Sequence, residues 1–213
     1  MQRSRLVLFF LAFLAIAIVG ALFLFREAGT SPPVPGAPVT TGEALIGGPF
    51  SLVAAQDGRR VTERDLLGRH ALVYFGYTFC PDVCPMGLDT VTRALELLPP
   101  AAAERVQPVF VTIDPARDTP EVMRQYAASF HPRLLALTGS EAEVQATLKA
   151  YRVYARKAEG ETGGAGGYLV DHSSFTYLMG PDGRYVSHFS HGTTPEAMAK
   201  RLTAALGEAS ATS

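Results

Sequence analysis

The chain has no tryptophan, only two cysteines and few charges: Asp, Glu, Lys and Arg make up 18% of its 213 residues. Two cysteines are too few for a disulfide-dense scaffold or a four-cysteine zinc site. Neither sign of charge dominates, because 19 basic and 20 acidic side chains leave a net charge of −1. That balance argues against bulk electrostatic capture of nucleic acid, which needs a basic surface. It also argues against a highly charged disordered chain. Gly 20 and Pro 15 fall short of a collagen-like or low-complexity composition, and no internal repeat is visible. What the chain does have is apolar residues, 47% of the total, with one long run near its N-terminus.

Residues 6–25 read LVLFFLAFLAIAIVGALFLF, with no charged side chain. As a helix rising about 1.5 Å per residue, the run spans roughly 30 Å, the thickness of a bilayer core. Arg3 and Arg5 precede it, and Arg26 and Glu27 follow. The positive excess holds the short N-terminal stub in the cytoplasm and exports the rest. A cleaved signal peptide is the rival reading. Its apolar stretch is usually about 7–15 residues, and Arg26-Glu27 stand where an Ala-x-Ala site would be expected. The expectation is an uncleaved anchor over 1–27 in a bacterial inner membrane, with the soluble domain in the periplasm. Pro32, Pro33, Pro35 and Pro38 with their glycines mark 28–48 as a linker. One folded domain then covers 49–207, enough for a sizeable core, and 208–213 form a flexible tail.

Within that domain, apolar segments 50–53 and 60–62 flank Asp57-Gly58 as a hairpin. Buried-strand runs lie at 71–77 and 106–113, with a helix over about 83–98 that Pro99-Pro100 ends. Thr119-Pro120-Glu121 opens a helix, a short strand lies at 134–137, and Ser140 with Glu143 forms a capping box. After the glycine-rich loop 160–167, a second hairpin spans 175–179 and 185–189. A helix follows from Thr194-Pro195-Glu196 to about Leu206. Strands alternating with helices, closed by a hairpin and a helix, predict an α/β fold: a thioredoxin-like mixed sheet flanked by helices.

The two cysteines sit in Cys80-Pro81-Asp82-Val83-Cys84-Pro85, just after the first core strand. A spacing of i, i+4 brings both thiols to one face of a helix, and a helix N-terminus favours the thiolate. Thiolates serve as metal ligands or as exchange nucleophiles, so Cys80 and Cys84 are candidates for both roles. A structural disulfide is the bland reading, but so short a loop would stabilise the fold little. Three intervening residues weaken the oxidoreductase reading relative to Cys-x-x-Cys, and no His follows for haem attachment. Two thiolates suit Cu(I), and one imidazole would add support for Cu(II); zinc with an open fourth position is an alternative.

Spacing leaves the choice open among the five histidines. His70 reads as a surface turn residue, His131 as a helix-end residue, and His188 and His191 as surface residues. His172 is either a ligand or hydrogen-bonded to a carboxylate such as Asp171. Asp114 and Asp118 read as helix-capping turn residues or as a receptor for a partner's positive patch. Asp82 reads as a helix N-terminal acid or as support for a metal site.

Five motifs occur in order: Tyr-Thr-Phe-Cys-Pro-Asp-Val-Cys-Pro (77–85), Thr-Ile-Asp-Pro-Ala-Arg-Asp-Thr-Pro (112–120), Leu-Thr-Gly (137–139), Val-Asp-His-Ser (170–173) and Gly-Pro-Asp-Gly (180–183). Together they resemble the Sco/SenC family, copper chaperones named for synthesis of cytochrome c oxidase. The resemblance covers roughly 45–206 and the anchor. It implies a thioredoxin-like domain with an added N-terminal hairpin, and one copper ion, Cu(I) or Cu(II), held by Cys80, Cys84 and His172. It implies assembly of the binuclear copper site of cytochrome c oxidase subunit II. Other periplasmic copper chaperones or thioredoxin-like reductants are further candidate partners. A thiol–disulfide reductase acting on that site's cysteines is the alternative, and a thiol peroxidase or a sensor is more distant.

Overall fold

A computed structural model describes residues 45–158 and 167–211. The expected anchor, most of the linker and nearly all of the glycine-rich loop lie outside the described residues. Among those described, no helix is long and apolar enough to cross a membrane.

The hairpin β1 (Ser51–Ala54) and β2 (Arg60–Thr62) forms as expected and is followed by a single turn of 3-10 helix. Strand β3 (His70–Gly76) leads through the cysteine loop into helix α1 (Val83–Glu96), a short α2 (Pro100–Glu104) and strand β4 (Val106–Thr112). Helix α3 (Pro120–Ala127), strand β5 (Leu135–Thr138) and helix α4 (Glu141–Ala150) follow. Strands β6 (Ala155–Lys157) and β7 (Val170–His172) pair with each other in a separate ribbon. Strands β8 (Thr176–Met179) and β9 (Tyr185–Phe189) and helix α5 (Pro195–Ala211) close the chain.

The main sheet has the order β2-β1-β5-β4-β3-β8-β9. Its centre, β5-β4-β3, is parallel, and β1 and β8 join antiparallel. Every residue of β3 and β4 is buried. That is why both are largely apolar, with β-branched and aromatic residues through their centres: helices or loops cover both faces of the sheet. Alternate residues of β3 serve opposite faces. Leu72 packs with Val91 and Leu95 of α1 and Met198 and Leu202 of α5. Tyr74 stacks towards Phe110 and, beyond it, Tyr126 of α3. On the other face, Phe75 meets Tyr151, at the end of α4, and Tyr177.

Local rules set the helix starts. The Thr119 side chain accepts from the Val122 amide, with Pro120 in the first turn. Ser140 and Glu143 complete a reciprocal capping box, worth about 1 kcal/mol. Four expectations change. Pro100 ends one helix but also begins another, α2, because proline fits a first helical turn. The last helix runs to Ala211, beyond the expected end near Leu206 and into the stretch read as a flexible tail. The β6–β7 ribbon is new. His70 is buried as the first residue of β3 rather than lying in a surface turn, and its burial lowers its pKa.

Candidate metal centre

The two cysteines lie beyond the C-terminal end of β3, and the backbone there explains their unequal roles. The segment holding Cys80 is not helical; α1 begins at Val83 and is capped at Asp82, whose side chain makes no capping bond. Cys80 Sγ takes that place instead, accepting the Cys84 amide at 3.4 Å. Asp82 therefore supports the site through its backbone, and the i, i+4 helical face expected from spacing is replaced by a loop folded over a helix start.

The Cys80 thiol is brought down to about 4, first by its hydrogen bond with the Cys84 thiol and then by His172 and the Asp82 and Cys84 amides, against the effect of burial. Cys84 goes the other way, raised by the neighbouring Cys80 and by burial. It is fully buried, whereas Cys80 is 8% exposed. The pair thus carries one thiolate and one thiol, and Cys80, outside the helix, is the thiolate. Both are free cysteines.

Glycine makes room for the inner sulfur. A Cβ on Gly76 would lie 2.7 Å from Cys84 Sγ and 3.1 Å from the Tyr74 ring, while one on Gly87 would lie 2.8 Å from that ring. The Tyr74 hydroxyl donates to the Val83 carbonyl at 3.2 Å. Burial first, then the nearby Cys84, raises the pKa of that phenol, so it stays a neutral donor.

His172 arrives from the ribbon as the last residue of β7, paired with Ala155. Its Nε2 lies 3.3 Å from Cys84 Sγ. Its Nδ1 lies 3.2 Å from the Ser173 carbonyl; donation there leaves Nε2 as the free ligand nitrogen. The ring meets Tyr77 edge-on at 5.9 Å, and the Tyr77 hydroxyl accepts the Val170 amide at 3.1 Å. The ligand atoms of Cys80, Cys84 and His172 all lie within 4.8 Å of one another. Two sulfurs and one imidazole form a soft, three-donor set that leaves an incoming ligand a position.

The other histidines lie elsewhere. His131 Nδ1 accepts the Arg133 amide; His188, exposed, pairs with Tyr185 at 2.5 Å and packs on Phe175. His191 is exposed. Asp114 and Asp118 are buried, so they neither receive a partner's charge nor cap α3, which Thr119 does. Asp118 instead accepts the Thr78 and Thr112 hydroxyls, each at 2.6 Å, and the Thr78 amide at 3.2 Å. It ties the loop that carries Cys80 to the end of β4. Burial raises its pKa, against those hydrogen bonds. Asp114 accepts Arg117 Nε at 2.5 Å and the Tyr168 hydroxyl at 2.8 Å. Sequence reasoning missed Tyr77, Thr78, Arg117 and Tyr168 as supports; their only signal was their place inside or beside the ordered motifs.

Three comparisons agree on kinship. The SCO1/SenC family model matches residues 38–207. The chain is 40% identical over 163 residues to the protein sco1 of Schizosaccharomyces pombe, covering 76% of this chain and 62% of that relative, and so spans less than two thirds of the relative's length. The solved structure of Bradyrhizobium japonicum ScoI with copper bound is 42% identical, with a TM-score of 0.68 over 75% of this chain and 99% of that one. BsSco, described as a member of the Sco family of cytochrome c oxidase assembly proteins with a disulfide switch, is 27% identical, with a TM-score of 0.60 over 76% of this chain and 94% of that one. The mixed α/β fold is thioredoxin-like, as in these structures, and the chain belongs to the SCO1/SenC family.

Proposed function

We propose that this protein is a copper carrier that binds one ion through Cys80, Cys84 and His172 and delivers it during cytochrome c oxidase assembly. The observation that carries the reading is the gathering of two thiols and one imidazole within 4.8 Å. One sulfur is held as a thiolate at neutral pH. Sulfur donors favour Cu(I), and the imidazole extends the set to Cu(II). Kinship with copper-loaded ScoI supports the same assignment.

The low coordination number supports the transfer step. An acceptor thiolate enters the open position, and the protein's sulfurs then leave one at a time, so copper is never released to water. The acceptor fits the binuclear copper site of oxidase subunit II, whose own cysteines are chemically matched to this exchange. The anchor read in residues 6–25 holds the domain on the periplasmic side of a bacterial inner membrane, where tethering raises its effective concentration near membrane-bound acceptors.

Elemental analysis of the reduced protein after anaerobic Cu(I) loading tests the reading. One copper per chain is expected, with none retained in a Cys80→Ser/Cys84→Ser variant. Equal retention by wild type and variant would contradict it.

A thiol–disulfide reductase is the second reading, favoured by the split between a Cys80 thiolate and a protonated Cys84. The thiolate attacks a partner disulfide, and Cys84, once deprotonated, resolves the mixed disulfide and releases the partner's two thiols. Catalytic reduction of insulin at a rate well above that of free dithiol would favour it.

A further inference from the structure

The imidazole hangs on a ribbon that is not part of the main sheet, so its distance from the sulfurs depends on whatever fastens that ribbon. One side chain does so from three directions. Arg117, in the turn between β4 and α3, donates through Nη1 to the Tyr168 carbonyl at 2.9 Å. Its guanidinium lies 3.7 Å from the Tyr168 ring centroid, 4.8 Å from that of Phe79 and 5.4 Å from that of Tyr77. Tyr168 enters β7 two residues before Val170, and Phe79 immediately precedes Cys80. Arg117 thus touches residues flanking both ligand segments. Its own position is set by Asp114, which receives Arg117 Nε at 2.5 Å and the Tyr168 hydroxyl at 2.8 Å. The side chains of both members of this ion pair are largely shielded from water, at 12% and 4% exposure. A planar fork that hydrogen-bonds and stacks at once is particular to arginine.

We propose that Arg117, seated on Asp114, is a positioning residue that clamps Tyr168 and with it β7, holding His172 against Cys84. For its copper arm the inference rests on Cys80, Cys84 and His172 being the ligands; its metal-free arm does not depend on that.

The test compares wild type with Arg117→Met, Arg117→Lys and the milder Tyr168→Phe. Amide hydrogen exchange of the metal-free reduced protein is followed at Val170, whose amide donates to the Tyr77 hydroxyl, and at Ser173, whose amide donates to the Tyr154 carbonyl, and, as an internal reference, at Val109 and Phe110 in β4. In Arg117→Met, protection at Val170 and Ser173 is expected to fall at least tenfold while β4 is unchanged. Arg117→Lys restores only part of it, and Tyr168→Phe gives a smaller loss in the same place.

In the copper arm, Arg117→Met keeps one Cu(I) per chain but weakens Cu(II) binding towards the level of His172→Ala. The Arg117→Met/His172→Ala double variant then binds Cu(II) no worse than His172→Ala alone, because the two act through one contact. Wild-type exchange at Val170 in both Arg117→Met and Tyr168→Phe would overturn the proposal. So would loss of protection spread equally over β4, or an additive double variant. If wild type binds no copper, the copper assignment fails while the exchange arm still decides the clamp.

Discussion

The two halves of the candidate metal centre are built differently. The sulfur half grows from the middle of the fold. Cys84 is fully buried at the start of α1, under Tyr74 and over Gly76, and Asp118 fastens the Cys80 loop to β4. The imidazole half stands on a two-stranded ribbon of three-residue strands, outside the main sheet. It is held by side chains: the Tyr77 hydroxyl on the Val170 amide and Arg117 on Tyr168. A site with one donor pair set in the core and a third on an appended ribbon can keep hold of a soft ion through its sulfurs even when the imidazole is removed. That division suits the carrier role proposed above, which requires both binding and release.

Perturbing each half separately sharpens the contrast. The largest expected effect is on the sulfurs: changing both cysteines to serine lowers Cu(I) affinity at least a thousandfold in a competition titration with a chromogenic chelator, since hydroxyls are poor ligands for a soft ion. Next comes Asp118→Ala, which strips partners from the buried Thr112 hydroxyl and from the half-buried Thr78 hydroxyl and amide. It should cost about 3 kcal/mol in a urea unfolding titration, each orphaned group contributing roughly 1–3 kcal/mol. Gly76→Ala should cost about 2 kcal/mol, in the range of overpacking in a tight core. It should also displace Cys84 Sγ, read as a weakened Cu(I) affinity.

The smallest effect concerns protons. At pH 7 Cys80 is already a thiolate, its pKa lowered to about 4, while Cys84 is raised and keeps its proton. Cu(I) loading should therefore release about one proton per ion, from Cys84, where two ordinary thiols would release about two. Affinity should rise with pH, because Cys84 must lose its proton before it can bind. Proton release measured in weak buffer checks this; two protons per copper would contradict the unequal thiols.

Much of the sulfur half was legible in the sequence, and little of its support was. The run 71–77 announced β3, and the Ser140 capping box formed as read, because each is set by neighbours along the chain; the cysteine spacing suggested a helical face where the structure has a loop. The ribbon was not legible: Ala-Arg-Lys and Val-Asp-His lack apolar alternation, and only their mutual pairing makes them strands. Nor could spacing single out His172, which meets Cys84 across 88 positions of sequence; the resemblance of motifs pointed to it. Asp114 and Asp118 read as exposed or capping because carboxylates usually are. Their burial depends on hydroxyl, amide and guanidinium donors that three different segments bring together.

The direct test of the two-half account is His172→Ala, with Cu(I) and Cu(II) dissociation constants measured separately and copper per chain counted in both states. The account predicts that Cu(II) binding weakens at least tenfold more than Cu(I) binding, with one Cu(I) still held per chain. Equal losses for both ions, or loss of Cu(I) itself, would contradict the assignment of the primary hold to the two sulfurs.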